Sequence, residues 1–491
     1  MRSAGAWFRR YWLLLAAVFA ASLWVGIQQE IPFRYASNDA AEYADVARRL
    51  ARGDGFTTSL IYPAELEFGV HREHPALVRP PLWPSLLAAA FVVFGPGEWA
   101  IQVVLLGLYV LSVVLAGLLG QRLAGLGAGI VAAVAVAVAP DTLALSLVGM
   151  TETLYGVCVL LVLWLLARGS HPVWVGVGCA ALYLTRYNGI VLLPFALLYL
   201  VLSDSESRAR RVSYCLLGFV LLASPWWVRN TLVTGEPFFT YYQWAIYFPV
   251  TGRTYTTTLL HLINPTTDSP LAMDPLEKVR ILLPLMVLNW PLAAANFSAC
   301  VGLGIACVKR NALGISFAGL AVATTVGLSL ALPRGRYFAP LFPGLLVLGV
   351  AGWWSLRSRV KWLGLALLLA SPLLPPVIDP APDLVFARGL LGDHEGSTDE
   401  EEAVFARCVR DEPTPPIIVA EDASRVVWQT DATTIWLPAT AEDFWRIVSE
   451  YPVRFVYMVT RQDLLGPRFT ATFAPRKECG PGFYERLSAV N

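Results

Sequence analysis

The sequence predicts an all-α polytopic membrane domain followed by a small α/β domain, and three observations carry that expectation. Of 491 residues, 56% are hydrophobic and only 15% charged, with a mean hydropathy of +0.56, whereas soluble domains carry roughly 25% charged residues. Apolar runs recur from Tyr11 to Ile378, too many for one soluble core and suited to membrane-spanning helices. Charge then divides the chain: residues 379–491 hold 19 acidic and 11 basic side chains, a net of −8 against an overall +1, which leaves +9 for residues 1–378. A soluble enzyme, a disordered chain and a disulfide-rich secreted domain are excluded, and no basic block points to nucleic acid. The 17 Trp suit membrane interfaces, and the 34 Pro are tolerated where neighbouring helices satisfy the backbone.

Sidedness follows from Arg and Lys. Arg2, Arg9 and Arg10 precede the apolar run Tyr11–Ile27, which reads as an uncleaved signal anchor rather than a cleaved signal peptide because so much membrane sequence follows. Arg122, Arg168, the Arg208–Arg211 group, Lys309-Arg310 and Arg357, Arg359 and Lys361 then fall on the inner side by the positive-inside rule. Eleven spans satisfy this pattern: about 11–27, 99–120, 123–139, 151–167, 173–187, 189–203, 212–229, 280–308, 312–332, 337–355 and 362–378. Segments 28–82 and 230–278, the turn at 333–336 and the tail 379–491 face outward. Leu82–Phe94 has about 13 apolar residues, short of the roughly 20 a crossing needs. It reads as a surface or re-entrant helix; if it crosses, the count rises to 12 or 13.

In the tail, Ile417–Ala420, Thr433–Leu437 and Val453–Val459 read as strands, with helical spacing over Ala441–Glu450 between the last two. That alternation suggests a βαβ arrangement. Cys158, Cys179, Cys215, Cys300 and Cys307 lie in apolar runs, whereas Cys408 and Cys479 are the two cysteines of the tail. In an oxidising compartment these two are expected to form a disulfide. The acidic run 393–402 reads as a solvated linker or helix start in preference to a cation site.

The first outer segment, 28–82, is the richest in chemistry. Asp39, Tyr43, Ala47 and Leu50 recur at helical spacing before Gly53-Asp54-Gly55, which puts Asp39 at or just before the start of a short helix. Two readings stay open, a capping aspartate and a functional carboxylate beside a membrane cavity. His71 and His74 read as exposed loop histidines in preference to a metal pair. Arg79 precedes Pro80-Pro81-Leu82-Trp83-Pro84, where a guanidinium suits a lipid phosphate or an interfacial anchor. Glu152, Arg186, Arg229, Arg334 and Arg336 fall at the outer ends of other spans. Charges there are costly and usually functional. One carboxylate and several Arg thus share Asp39's side of the membrane, which argues for an outward-facing site for an anionic lipid headgroup.

These residues resemble the GT-C class of membrane glycosyltransferases, in particular the bacterial protein-O-mannosyltransferase-like proteins and the aminoarabinose transferases acting on lipid A. The resemblance rests on Asp39-x-x-Glu42-Tyr43 with its following Gly-rich turn and on Arg79-Pro80-Pro81-Leu82-Trp83-Pro84. Thr151-Glu152, Pro225-Trp226 with Arg229-Asn230 and Gly235, and Arg336-Tyr337 with Pro340 and Pro343 agree with it. It covers about three quarters of the chain. It implies sugar transfer from a polyprenyl-phosphate carrier on the extracytoplasmic side of a bacterial inner membrane, with Asp39 as the catalytic residue. It also implies a basic residue for the donor phosphate, here Arg79.

An acceptor hydroxyl must lose its proton as it attacks the sugar, and Asp39 can accept it, with inversion at the sugar carbon. Arg79 and Arg336 suit the charge developing on the leaving phosphate. Glu42, Tyr43, Glu152, Arg186, Arg229, Arg334 and Tyr337 complete the expected substrate-binding set. The outer loops contain no DxD motif, so no cofactor is expected to be required; a divalent cation stays open but is not indicated. The expected partners are the bilayer, a polyprenyl-phosphate-linked sugar and a glycan, lipid or protein acceptor. The alternatives are a transporter or flippase for a lipid-linked sugar and a non-catalytic membrane assembly protein.

Overall fold

The computed structural model describes residues 2–30, 38–71, 73–203, 207–240, 294–309, 311–331, 339–369, 399–458 and 465–487. The helices of the membrane domain are α1 (Arg2–Glu30), α2 (Asn38–Arg52), α3 (Leu82–Phe94), α4 (Glu98–Ala124), α5 (Leu126–Val138), α6 (Pro140–Leu145), α7 (Glu152–Arg168), α8 (Pro172–Thr185), α9 (Leu192–Leu202), α10 (Arg208–Thr234), α11 (Ala294–Val308), α12 (Ala312–Ala331), α13 (Phe342–Trp354) and α14 (Val360–Leu369). Every expected span meets one of these helices. Three carry an apolar stretch long enough to cross a membrane: Tyr11–Gln28, Glu98–Ala124 and Arg208–Thr234. The others, such as Leu126–Val138 and Pro172–Thr185, are apolar but shorter. Residues 241–278 of the expected loop 230–278, the start of span 280–308 and the end of span 362–378 lie outside the described residues.

Small residues set the helix packing. A Cβ added at Gly176 on α8 would collide with the Cys215 carbonyl of α10, and one at Gly218 on α10 with the Val173 carbonyl of α8. The two backbones therefore touch, the mode of association favoured where lipid removes the hydrophobic drive between helices. Gly235, at φ 81°, closes α10 with its N–H on the Thr231 carbonyl, beyond an interior Pro225. Helix α3 begins after Pro80-Pro81, and its buried Trp83 donates its indole N–H to the Gly149 carbonyl (3.1 Å).

The tail is the expected α/β unit. Helix α15 (Asp399–Arg410) leads to strand β4 (Ile417–Ala420), helix α16 (Ala423–Thr430), β5 (Thr433–Trp436), α17 (Ala441–Glu450) and β6 (Val453–Tyr457). β5, β4 and β6 are parallel neighbours, as helical crossovers require. Helix α18 (Pro467–Thr472) and two strands not foreseen, β7 (Phe473–Pro475) and β8 (Phe483–Arg486), complete it, β8 antiparallel to β6 and β7 antiparallel to β8. Cys408 and Cys479 form a disulfide with Cα atoms 5.8 Å apart. Closing a loop of 71 residues stabilises the unit by about 4 kcal/mol on the chain-entropy model.

One boundary differs from expectation. The first outer segment contains β1 (Thr57–Thr58), β2 (Leu60–Ile61) and β3 (His74–Pro75). β1 pairs with β3, but β2 adds to the tail sheet, parallel to β5, with Leu60 opposite Thr434 and Ile61 opposite Ile435. The sheet thus runs β2-β5-β4-β6-β8-β7, and its first strand comes from the segment between α2 and α3.

Helix α2 is the plate between the two bodies. Tyr43, Ala44 and Ala47 pack into the core of the membrane domain. The polar face meets the tail: Arg48 donates to the Trp428 and Val427 carbonyls (both 2.9 Å), and Arg52 reaches Asp431 (2.5 Å). Asp431 sits in the left-handed region (φ 58°) as the C-cap of α16. Burial alone would raise its carboxyl, but Arg48, Arg52 and Arg49 together hold it below its ordinary range. On α2 itself, Asp45 is fully buried, accepting from Thr58 Oγ1 (2.8 Å), the Ser59 N–H (2.9 Å) and Arg48 (3.0 Å).

Candidate active site

Asp39 lies in the first turn of α2, one residue inside its start, where the helix dipole favours a negative charge. Its Oδ1 pairs with Arg79 Nη2 at 2.6 Å. Glu42, one helical turn on, receives the same guanidinium through Nε (2.9 Å) and Nη2 (2.6 Å), both on Oε2. Arg79 also lies over the Tyr43 ring, 5.0 Å from its centroid. The arginine thus joins two carboxylates of one helix face, and it is buried. Asp39 keeps 25% of its side chain exposed, against 6% for Arg79 and 7% for Glu42. The outermost carboxylate of the cluster is therefore Asp39.

Below it lies a 3₁₀ segment, Pro63–Phe68, that sequence reading missed. Its N-cap Tyr62 donates its hydroxyl to Glu42 Oε2 (3.2 Å) and its backbone N–H to Glu65 Oε2 (3.1 Å). Pro at the first position and Glu at the third are a helix-start signal. The burial of both side chains has no local signature. Desolvation raises the Glu42 carboxyl, against the pull of Arg79 and of the Tyr62 hydroxyl. It raises Glu65 much further, and Glu65 Oε1 has no hydrogen-bond partner among the described residues.

A carboxyl raised in the fold contributes stability below its unfolded value, near 4.5, and loses it as pH rises. Glu65→Gln keeps the acceptor oxygen without the ionisation cost. Its apparent melting temperature should therefore match wild type near pH 4.5 and exceed it increasingly toward pH 8. Thermal unfolding across that range tests this, and a Gln variant that loses ground as pH rises would contradict a raised Glu65 carboxyl.

The other expected residues divide into two groups. Glu152 opens α7 and is buried; its Oε1 pairs with Arg186 Nη1 (2.7 Å), which also donates to Thr151 Oγ1 (3.3 Å). This turn packs on α2, with Met150 and Val148 against Ala40. Arg229, near the end of α10, donates to the Phe56 carbonyl (3.2 Å) and Asn230 Oδ1 (3.3 Å). It lies over the Trp226 and Phe56 rings at 4.9 and 5.5 Å. Among the described residues it pairs with no carboxylate, and Glu65 feels both Arg229 and Arg79. Arg334, Arg336 and Tyr337 lie outside the described residues. His74 departs from the exposed-loop expectation: it is buried, its Nδ1 on the Gly69 carbonyl (2.9 Å), and burial pushes it down to about 4. No group of three or more metal-ligating side chains occurs among the described residues.

Comparison with known proteins supports the class that the sequence resembles. Residues 78–228 match the family described as dolichyl-phosphate-mannose-protein mannosyltransferase. Among solved structures, the apo form of ArnT from Cupriavidus metallidurans superposes with a TM-score of 0.61 at 16% identity, covering 95% of both chains. The undecaprenyl-phosphate-bound form of ArnT gives 0.58, covering 90% of this chain and 88% of that one. The oligosaccharyltransferase of Archaeoglobus fulgidus gives 0.59 at 14% identity, covering 93% of this chain and 70% of that one. Curated protein sequences give no match. The chain thus shares the fold of ArnT and of the Archaeoglobus oligosaccharyltransferase over most of its length.

Proposed function

We propose that this protein is an integral-membrane glycosyltransferase that moves a sugar from a polyprenyl-phosphate carrier to an extracytoplasmic hydroxyl, with inversion and with Asp39 as general base. The observation that carries this reading is the Asp39–Arg79–Glu42 cluster at the start of α2, with its exposed member outermost. An odd number of crossings, eleven on the expected pattern, with the Arg clusters on the inner side, supports an outward orientation for the cluster and the C-terminal domain. The Cys408–Cys479 disulfide supports that side, because such bonds persist in oxidising compartments.

The acceptor oxygen attacks the anomeric carbon as the bond from that carbon to the phosphate oxygen breaks. The hydroxyl proton passes to Asp39, and the carrier leaves as polyprenyl phosphate. That leaving group needs charge stabilisation more than a proton. Arg79, committed to two carboxylates, is a positioning residue that aims Asp39. The donor phosphate falls to Arg229, whose guanidinium is held by carbonyls and aromatic faces, supported by Arg186, Arg334, Arg336 and Tyr337. Glu152 positions Arg186, and Tyr43 supports Arg79. In a related fold, the ArnT structure contains undecaprenyl phosphate, and the Archaeoglobus oligosaccharyltransferase AglB contains dolichol-phosphate and an inhibitory peptide.

Arg229→Ala should weaken binding of undecaprenyl phosphate by roughly ten- to a hundredfold, the scale of one charge-assisted hydrogen-bond set. Titration of the purified protein with that lipid measures it. Unchanged affinity in folded protein would remove Arg229 from the phosphate site.

A further inference from the structure

Tyr62 stands where the two halves of the chain meet. It follows β2, and Trp436 ends the partner strand β5. With Ile61 opposite Ile435, the next pair in a parallel register is Tyr62 and Trp436, whose side chains emerge on the same face. The rings stack with centroids 5.8 Å apart and planes 18° apart, and both residues are buried. The Trp436 indole N–H has no hydrogen-bond partner among the described residues, so its contact here is the ring face. From this fixed ring the Tyr62 hydroxyl donates to Glu42, Glu42 receives Arg79, and Arg79 pairs with Asp39.

We propose that Tyr62 is a positioning residue for the Glu42–Arg79–Asp39 cluster and that Trp436 of the C-terminal domain braces it, so that this domain is a structural half of the active site. The proposal rests on the transferase reading for its kinetic consequences and on geometry alone for the brace. Burial holds the Tyr62 phenol well above its ordinary value, protonated and donating. A hydroxyl donated to a carboxylate favours the charged carboxylate. Among the described residues, the groups facing Glu42 are Asp39 on its own helix, Arg79 before α3, and Tyr62, the N-cap of the 3₁₀ segment. Glu65 and Arg229 are the next charged groups. Removing the hydroxyl leaves Glu42 with Arg79 beside it and Asp39 opposing it, and Glu42 then protonates at higher pH.

The test uses the full chain in detergent or nanodiscs, with Tyr62→Phe, Trp436→Ala and Trp436→Phe compared with wild type. Tyr62→Phe keeps the stack and should lower kcat roughly tenfold with donor KM unchanged, moving the acid limb of the kcat profile up by about one pH unit. Trp436→Ala should lower kcat in the same way and speed hydrogen–deuterium exchange over residues 57–68 relative to α4. Trp436→Phe retains a ring and should stay within about twofold of wild type. Wild-type kcat and pH profile in Tyr62→Phe would overturn the positioning role. Unchanged exchange over 57–68 in folded Trp436→Ala would overturn the brace. If wild type shows no Asp39-dependent turnover, the transferase reading fails, and the exchange measurement still decides the brace.

Discussion

Replacing Asp39 with asparagine should abolish sugar transfer while leaving the protein folded and able to bind its donor. The amide has nearly the same shape but cannot accept the acceptor's proton, and general-base catalysis is worth roughly 10²–10⁴-fold. Folding is protected because Arg79 retains Glu42, which receives it through two nitrogens, and because Asp39 is the most exposed of the three. A transporter of lipid-linked sugars or a membrane assembly protein has no proton to remove at this position and would be little affected. The signature of the transferase reading is therefore a kcat loss of at least a hundredfold with undiminished undecaprenyl phosphate binding.

The second large effect is on stability as well as activity. Arg79→Met keeps the stem and removes the guanidinium that joins Glu42 and Asp39. Removing one partner of a buried ion pair costs about 3–5 kcal/mol, far more than loss of an exposed one. Pairing the change with Glu42→Gln removes the uncompensated charge. The double variant should therefore be more stable than Arg79→Met alone, a non-additivity read from a thermal-unfolding cycle in detergent. Additive losses would mean that the two side chains do not act on each other as the distances indicate.

Periodicity and composition made the local elements legible. The α2 spacing of Asp39, Tyr43, Ala47 and Leu50 emerged as a helix from Asn38 to Arg52, and the three apolar tail runs emerged as parallel strands. Short β2 was not legible. Two residues, Leu60 and Ile61, carry no periodicity, and their partner lies more than 370 positions away. Its consequences were hidden with it: the Tyr62–Trp436 stack, the burial of Glu65, and the grip of Arg48, Arg49 and Arg52 on Asp431. His74 was misplaced for the same reason, since pairing with Thr58 through β3 takes it out of an exposed loop. Asp39, Glu42 and Arg79 were legible as an outer charge cluster, but nothing in their spacing showed Arg79 bound to both carboxylates. That pairing underlies the proposal that Arg79 positions Asp39 and that Arg229 meets the donor phosphate.

The transferase reading is tested most directly by donor turnover. Purified wild-type and Asp39→Asn proteins are supplied with a panel of polyprenyl-phosphate sugars and a crude membrane acceptor fraction, and release of free polyprenyl phosphate is followed. Release from at least one donor by wild type, reduced at least a hundredfold in Asp39→Asn, is the predicted result and would also identify the sugar. Folded wild-type protein that releases no polyprenyl phosphate from any donor, or an Asp39→Asn protein that releases it as fast as wild type, would contradict the assignment.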